Sequence, residues 1–110
     1  VKIQGVTHTA NNTGDIAFHT STTGTMSEKA RITSDGHVVP SNDATQDIGT
    51  SSKRWRNVYT TDLQLSNVGE GGNEVDGTEG NWTLQEGESH IYMINRKTGK
   101  KYEMMLKEVD

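Results

Sequence analysis

Three observations predict an all-β chain that draws part of its core from other chains. The first is the run of short β-prone segments separated by Asn-, Thr-, Ser- and Gly-rich turns, with no convincing helix before residue 50. The second is scarcity of apolar material. Only 29% of the 110 residues are hydrophobic, and Leu, Ile, Val and Phe together number nineteen, below the one-fifth level at which disorder becomes a fair suspicion. Disorder also needs high net charge and few β-branched residues. Here the net charge is −4 and threonine is abundant. A monomer of this size would bury roughly 65% of its unfolded-chain surface, which so few apolar residues cannot fill. The third is the pattern of the last strands, where His90, Tyr92 and Ile94 alternate with Ile91 and Met93. Both faces are apolar and both need cover.

The elements follow in order. Lys2 to Thr9 alternates weakly and reads as a strand. Residues 10–14 and 21–28 read as polar loops, with DIAFHTS between them as a strand carrying Ile16 and Phe18 on one face and Ala17 and His19 on the other. In ARITSDGHVV, Asp35-Gly36 sits between two β-prone runs, the composition of a tight hairpin turn. Pro40 to Ser52 is loop-like. RWRNVYT then reads as a strand with Trp55, Asn57 and Tyr59 on one face, followed by DLQLSN with Leu63 and Leu65 sharing a face. NVGEGGNEVDGTEG, residues 67–80, is Gly-rich and acidic and reads as a linker or long loop. NWTLQEG, ESHIYMIN and KKYEMMLKEV predict a three-stranded antiparallel meander, with Gly99 taking a left-handed conformation in its second turn. The last segment also admits a helical reading through Tyr102/Leu106 and Met105/Val109. The organisation expected is therefore a β-rich segment over 1–66, a loop or linker over 67–80, and a β cap over 81–110.

Composition and motifs narrow the chemistry. There is no cysteine, so no disulfide and no thiolate metal site. No apolar run approaches ~18 residues, so no membrane-spanning helix is expected. Neither half is basic enough for nucleic acid: residues 1–52 hold three basic and five acidic residues, and 53–110 eight and ten. The four histidines, His8, His19, His37 and His90, are isolated, with no HExxH or His-x-His pair. Glu70, Glu74, Asp76 and Glu79 fit no calcium-loop spacing. Glu86 and Glu88 lie two apart on a turn, which is no glycosidase pair. Ser52 and Lys53 would point to opposite faces of a strand, against a Ser–Lys nucleophile. No phosphate-cradling GxxxxGK[ST] exists. The expectation is no enzyme, no metal and no cofactor. Trp55 and Tyr59 between arginines could stack a sugar or base, but they read better as anchors that dock strands, with Arg54 and Arg56 paired to Asp47 or Asp62.

The stretch ARITSDGHVVPSNDATQDIGTSSKRWRNVYTTDLQLSN resembles the distal part of bacteriophage tail fibres and related virion appendage proteins. The resemblance runs through Arg31-Ile32-Thr33-Ser34-Asp35-Gly36, Ile48-Gly49, Ser51-Ser52, Arg54-Trp55, Asn57, Tyr59 and Asp62-Leu63. The upstream AFHTSTTGTMSEKARIT is similar to the family's lead-in, and the ending resembles a short C-terminal module of marine phage fibre-like proteins. Similar proteins are homotrimers wound around one axis, so the resemblance implies an intertwined or side-by-side homotrimeric β segment with a C-terminal cap. Many carry the middle motif just before a helical self-cleaving chaperone domain. Here no long helical region follows Leu65, and self-cleavage is not expected. Some hold metals on the axis through paired histidines, which this chain lacks.

The function expected on this basis is structural: trimer registration and attachment to a host cell, in the virion, read as the C-terminal piece of a longer chain. The partners are copies of itself and a bacterial surface glycan or protein receptor, with no nucleic acid and no membrane insertion. Trp55, Tyr59, Leu63, Leu65, Trp82 and Tyr92 are the expected trimer core. Arg96, Lys97 and Thr98, a cationic hairpin tip, are the expected receptor contact. The alternatives are a fragment of a glycan-depolymerising tailspike, or a registration cap without ligand.

Overall fold

The computed structural model describes residues 2–8 and 13–110. It is all-β: eight strands form two antiparallel four-stranded sheets, with no helix among the described residues. The chain divides into two units, Val1–Trp55 and Arg56–Asp110, and each holds one sheet.

The first sheet runs β1 (Lys2–His8), β2 (Thr13–Thr22), β3 (Thr25–Ile32) and β4 (Val38–Pro40), paired in chain order. Thr9 and residues 10–12 of the first expected loop lie outside the described residues. Thr13 and Gly14 already belong to β2. The loop expected over 21–28 is replaced by a two-residue turn. Thr23 and Gly24 have φ of 54° and 85°, and two successive left-handed residues match the right-handed twist of a hairpin. Asp35-Gly36 makes its turn as expected, with Gly36 N donating to Thr33 O at 2.8 Å. Pro40 sits on the edge strand, where its missing N–H is harmless.

A bulge in β3 decides the chemistry of this sheet. Phe18 pairs with Ala30 but His19 with Glu28, so Lys29 is the extra residue. Without it, Glu28 and Arg31 would point to opposite faces. With it, both share the face of Asp15, Ala17 and His19. Arg31 then pairs with Glu28 through two nitrogens and with Asp15 Oδ2 at 2.8 Å. Asp15 Oδ1 also accepts from Ser34 N, and Glu28 from the Ser41 hydroxyl. Arg31 holds Glu28 below the usual carboxylate range and is itself raised by both acids. A depressed carboxylate stabilises the fold above its unfolded value, about 4.3, and that contribution is lost as pH falls through the lower folded value. Melting between pH 7 and pH 3 should therefore show a smaller drop in Tm for Glu28→Gln than for wild type. An unchanged drop would mean the network does not link to acid stability.

The second sheet runs β5 (Asp62–Ser66), β6 (Asn81–Glu86), β7 (Ile91–Asn95) and β8 (Lys101–Glu103), again in chain order. The meander expected over 81–110 is present as β6–β8, with β5 added to its edge. Asp62–Ser66, expected with the upstream segment, thus pairs inside the downstream unit. Gly99 has φ 77°, and Asn95 Oδ1 accepts from the Lys97 and Thr98 amides to brace its turn. Beyond Glu103, Met104 N still donates to Ile91 O at 2.8 Å, and residues 104–110 take no regular structure.

RWRNVYT is not a strand. A ladder needs a partner, and the stretch joins neither sheet. The chain instead turns on itself, with Thr50 N donating to Lys53 O at 3.0 Å and Lys53 N to the Thr50 hydroxyl. The Trp55 ring lies over Gly49, where a Cβ would meet the indole at 3.5 Å.

Candidate functional site

Among the described residues only Ala17 and Ile94 are buried hydrophobics, and Thr83 is the buried polar residue. Two of these three lie in the second sheet, where register sorts the side chains. Leu65 faces Trp82, while Leu63, Leu84, Met93 and Tyr102 form the next row and Ile91 follows opposite Glu86. All seven apolar residues share one face. The other carries Gln64, Thr83, Ile94 and Lys101 in one row, with Asp62, Gln85, Tyr92 and Glu103 beside it.

The polar face carries its own hydrogen bonds. Arg96 Nε donates to the Thr83 hydroxyl at 2.9 Å, which donates to Gln64 Oε1 at 2.6 Å. Gln85 Nε2 reaches Asp62 Oδ2 at 3.3 Å, and His90 lies 3.7 Å from Glu103. On the apolar face, Trp82 and Tyr102 meet with ring centroids 5.6 Å apart.

The acidic stretch 67–80 closes into a structured loop rather than a linker. Its ends join through Asn67 N to Gly80 O at 3.2 Å and Gly80 N to Asn67 Oδ1 at 2.6 Å. Asn73 Oδ1 accepts from the Val75 and Asp76 amides. Asp76 Oδ1 accepts from the Thr78 amide and hydroxyl and from Asn73, and these bonds hold Asp76 below the usual carboxylate range. Glu79 Oε2 takes the Gly69 and Gly71 amides. Asn and Asp side chains substituting for backbone partners are the ordinary chemistry of such turns, so these acids serve as braces. Beside the loop opens a cleft of about 770 Å³, lined among others by Leu65, Trp82, Asn95 and Lys97. Most polar groups on its loop side are already engaged in the loop's own bonds.

The expected site residues fall into separate groups. Leu63, Leu65 and Trp82 come together on the apolar face. Tyr92 lies on the opposite face, over the turn 87–90, with its ring 6.1 Å from His90. Trp55 and Tyr59 belong to no strand and are 69% and 92% exposed. Arg54 and Arg56 form no ion pair among the described residues, and Asp62 is bonded by Gln85 instead. Of the cationic tip, Arg96 is drawn to Thr83, Lys97 Nζ donates to Glu79 O at 2.9 Å, and the Thr98 hydroxyl accepts from Lys100 N at 3.2 Å, so all three take part in local bonds while remaining exposed. The buried Thr83 was missed by sequence reasoning. A threonine between Trp82 and Leu84 reads as an outward strand residue, and only the register shows it bonded on both sides. No group of three or more His, Asp or Glu capable of holding a metal occurs among the described residues, and no helix there is long and apolar enough to cross a membrane. No family model, curated protein or solved structure matches this chain.

Proposed function

We propose that this chain is a homotrimeric segment of a phage tail fibre, a virion component whose second sheet sets the register of the copies and whose exposed turns meet the host surface. The observation that carries self-assembly is surface. The chain exposes 9628 Å². A compact monomer of this mass exposes about 6,000 Å², and even two separate compact bodies of half the mass expose about 7,300 Å² together. The excess, about 2,300 Å² per chain, is more than the roughly 800 Å² a standard interface takes from each partner. Contact with two neighbours accommodates it, as in a closed ring of three. The resemblance of the RITSDG and IGTSSKRW stretches to fibre proteins supports the same number.

Light scattering on the purified chain should give three times its 12.1 kDa mass; a folded 12.1 kDa monomer at micromolar concentration would overturn the reading. Trp55 gives a second check. It is largely exposed in the single chain, so Trp55→Ala should leave the strands of one chain intact. If copies bury the ring, it should still weaken assembly strongly, since truncating a buried aromatic costs ~3–5 kcal/mol. An oligomer of unchanged strength would remove Trp55 from the trimer core. Host attachment through the 96–98 turn is tested at Lys97, whose ammonium holds an exposed loop carbonyl, rather than at Arg96, which braces the buried Thr83. Unchanged cell binding by Lys97→Ser would move the contact elsewhere.

A further inference from the structure

We propose that the apolar face of the β5–β8 sheet is the surface through which copies of this chain pack on one another. The inference rests on the self-assembly reading above and names its interface.

An antiparallel sheet with one face in water normally turns polar residues to that face. This sheet inverts the pattern. Its two buried residues, Thr83 and Ile94, lie on the polar face, while Leu63, Leu65 and Tyr102 on the apolar face are 45–47% exposed. Within the unit no second layer covers them, since Arg56–Asp110 contains only this one sheet. The patch is continuous: Leu65–Trp82 and Leu63–Leu84–Met93–Tyr102 are adjacent rows.

Area identifies the occupant. Four strands of about five residues present a flat face of roughly 300 Å², below the ~800 Å² per partner of a stable interface. Further apolar surface follows β8. Met105, Leu106 and Val109 leave the end of β8 exposed at 93%, 69% and 83%. Exposed apolar side chains of this kind suit an obligate contact, the kind made between subunits that do not live apart. The surplus surface of the whole chain, about 2,300 Å² by the size scaling above, exceeds one standard interface, so contacts between copies can bury this face and more.

The absence of cysteine makes a thiol scan clean. Leu65→Cys places one thiol on the apolar face, and Lys101→Cys places one on the polar face. In the full-length chain, Cys at 65 should react with a soluble thiol reagent at least tenfold more slowly than Cys at 101 while the mass stays oligomeric. The charged pair Leu63→Lys/Leu65→Lys should drop the mass to that of one chain, with Lys101→Glu unchanged. An oligomer in which Cys at 65 reacts as fast as Cys at 101 overturns this interface and leaves self-assembly standing. A wild-type monomer overturns both. A monomer with a protected Cys at 65 assigns the cover to the chain's own first half.

Discussion

Gly72→Ala is expected to open the 67–80 loop and lower the Tm by more than 10 °C. Gly72 has φ +96°, and a Cβ there would lie 2.1 Å from the Gly77 carbonyl oxygen and 2.6 Å from its carbon. Both are backbone atoms, so no side chain can swing aside. The loop would lose the Asn73 N to Thr78 O and Gly77 N to Asn73 O bonds, each worth about 1 kcal/mol. The left-handed backbone adds about 1 kcal/mol of strain for a non-glycine residue. The sum, about 3 kcal/mol, is a shift of roughly 12–24 °C for a domain near 60–100 residues. Gly71→Ala is the control. Its φ is +88° but nothing lies within 4 Å of its Cβ, so it bears the strain alone and should shift Tm by only a few degrees. Equal shifts in the two variants would mean the loop does not depend on the Gly72–Gly77 approach.

That loop shows where sequence reasoning stopped. Asp35-Gly36 and Gly99 were legible because a glycine between two β-prone runs has one common use. Thr23-Gly24 was not, because threonine rarely adopts positive φ and the surrounding Ser/Thr run looks like loop. In 67–80 the glycines suggested slack, whereas the Asn and Asp side chains between them bind backbone amides and remove it. The stretch RWRNVYT alternates like a strand, yet alternation specifies only a face, and no strand pairs with it. Ile91 and Met93 do alternate with Tyr92 and Ile94, but the expectation of two apolar faces fails, because the rows of Tyr92 and Ile94 are filled by Asp62, Gln64, Thr83, Gln85, Lys101 and Glu103. What it could not show is that register puts Leu63, Leu65, Trp82 and Tyr102 with the first pair, on a side that the unit's single sheet leaves without a second layer. Likewise the bulge at Lys29, which gathers Glu28, Arg31 and Asp15, is a matter of pairing that no local pattern announces.

Ile94→Ala should be among the most damaging truncations in the second sheet. Ile94 is 8% exposed and sits in the row of Gln64, Thr83 and Lys101, where one chain provides the cover by itself. Loss of its side chain from a site this closed costs about 2–5 kcal/mol, or a Tm lower by at least 8 °C. Leu65→Ala is the informative comparison. In one chain Leu65 is 47% exposed, and burial alone assigns it about half the cost of a covered leucine. If copies pack face to face, Leu65 becomes as covered as Ile94, and the two variants should lose comparable stability by thermal melting under assembling conditions. A Leu65→Ala loss less than half that of Ile94→Ala would show that water still reaches the apolar face. The copies would then have to meet through the tail at 104–110 or through the exposed stretch around Trp55 and Tyr59.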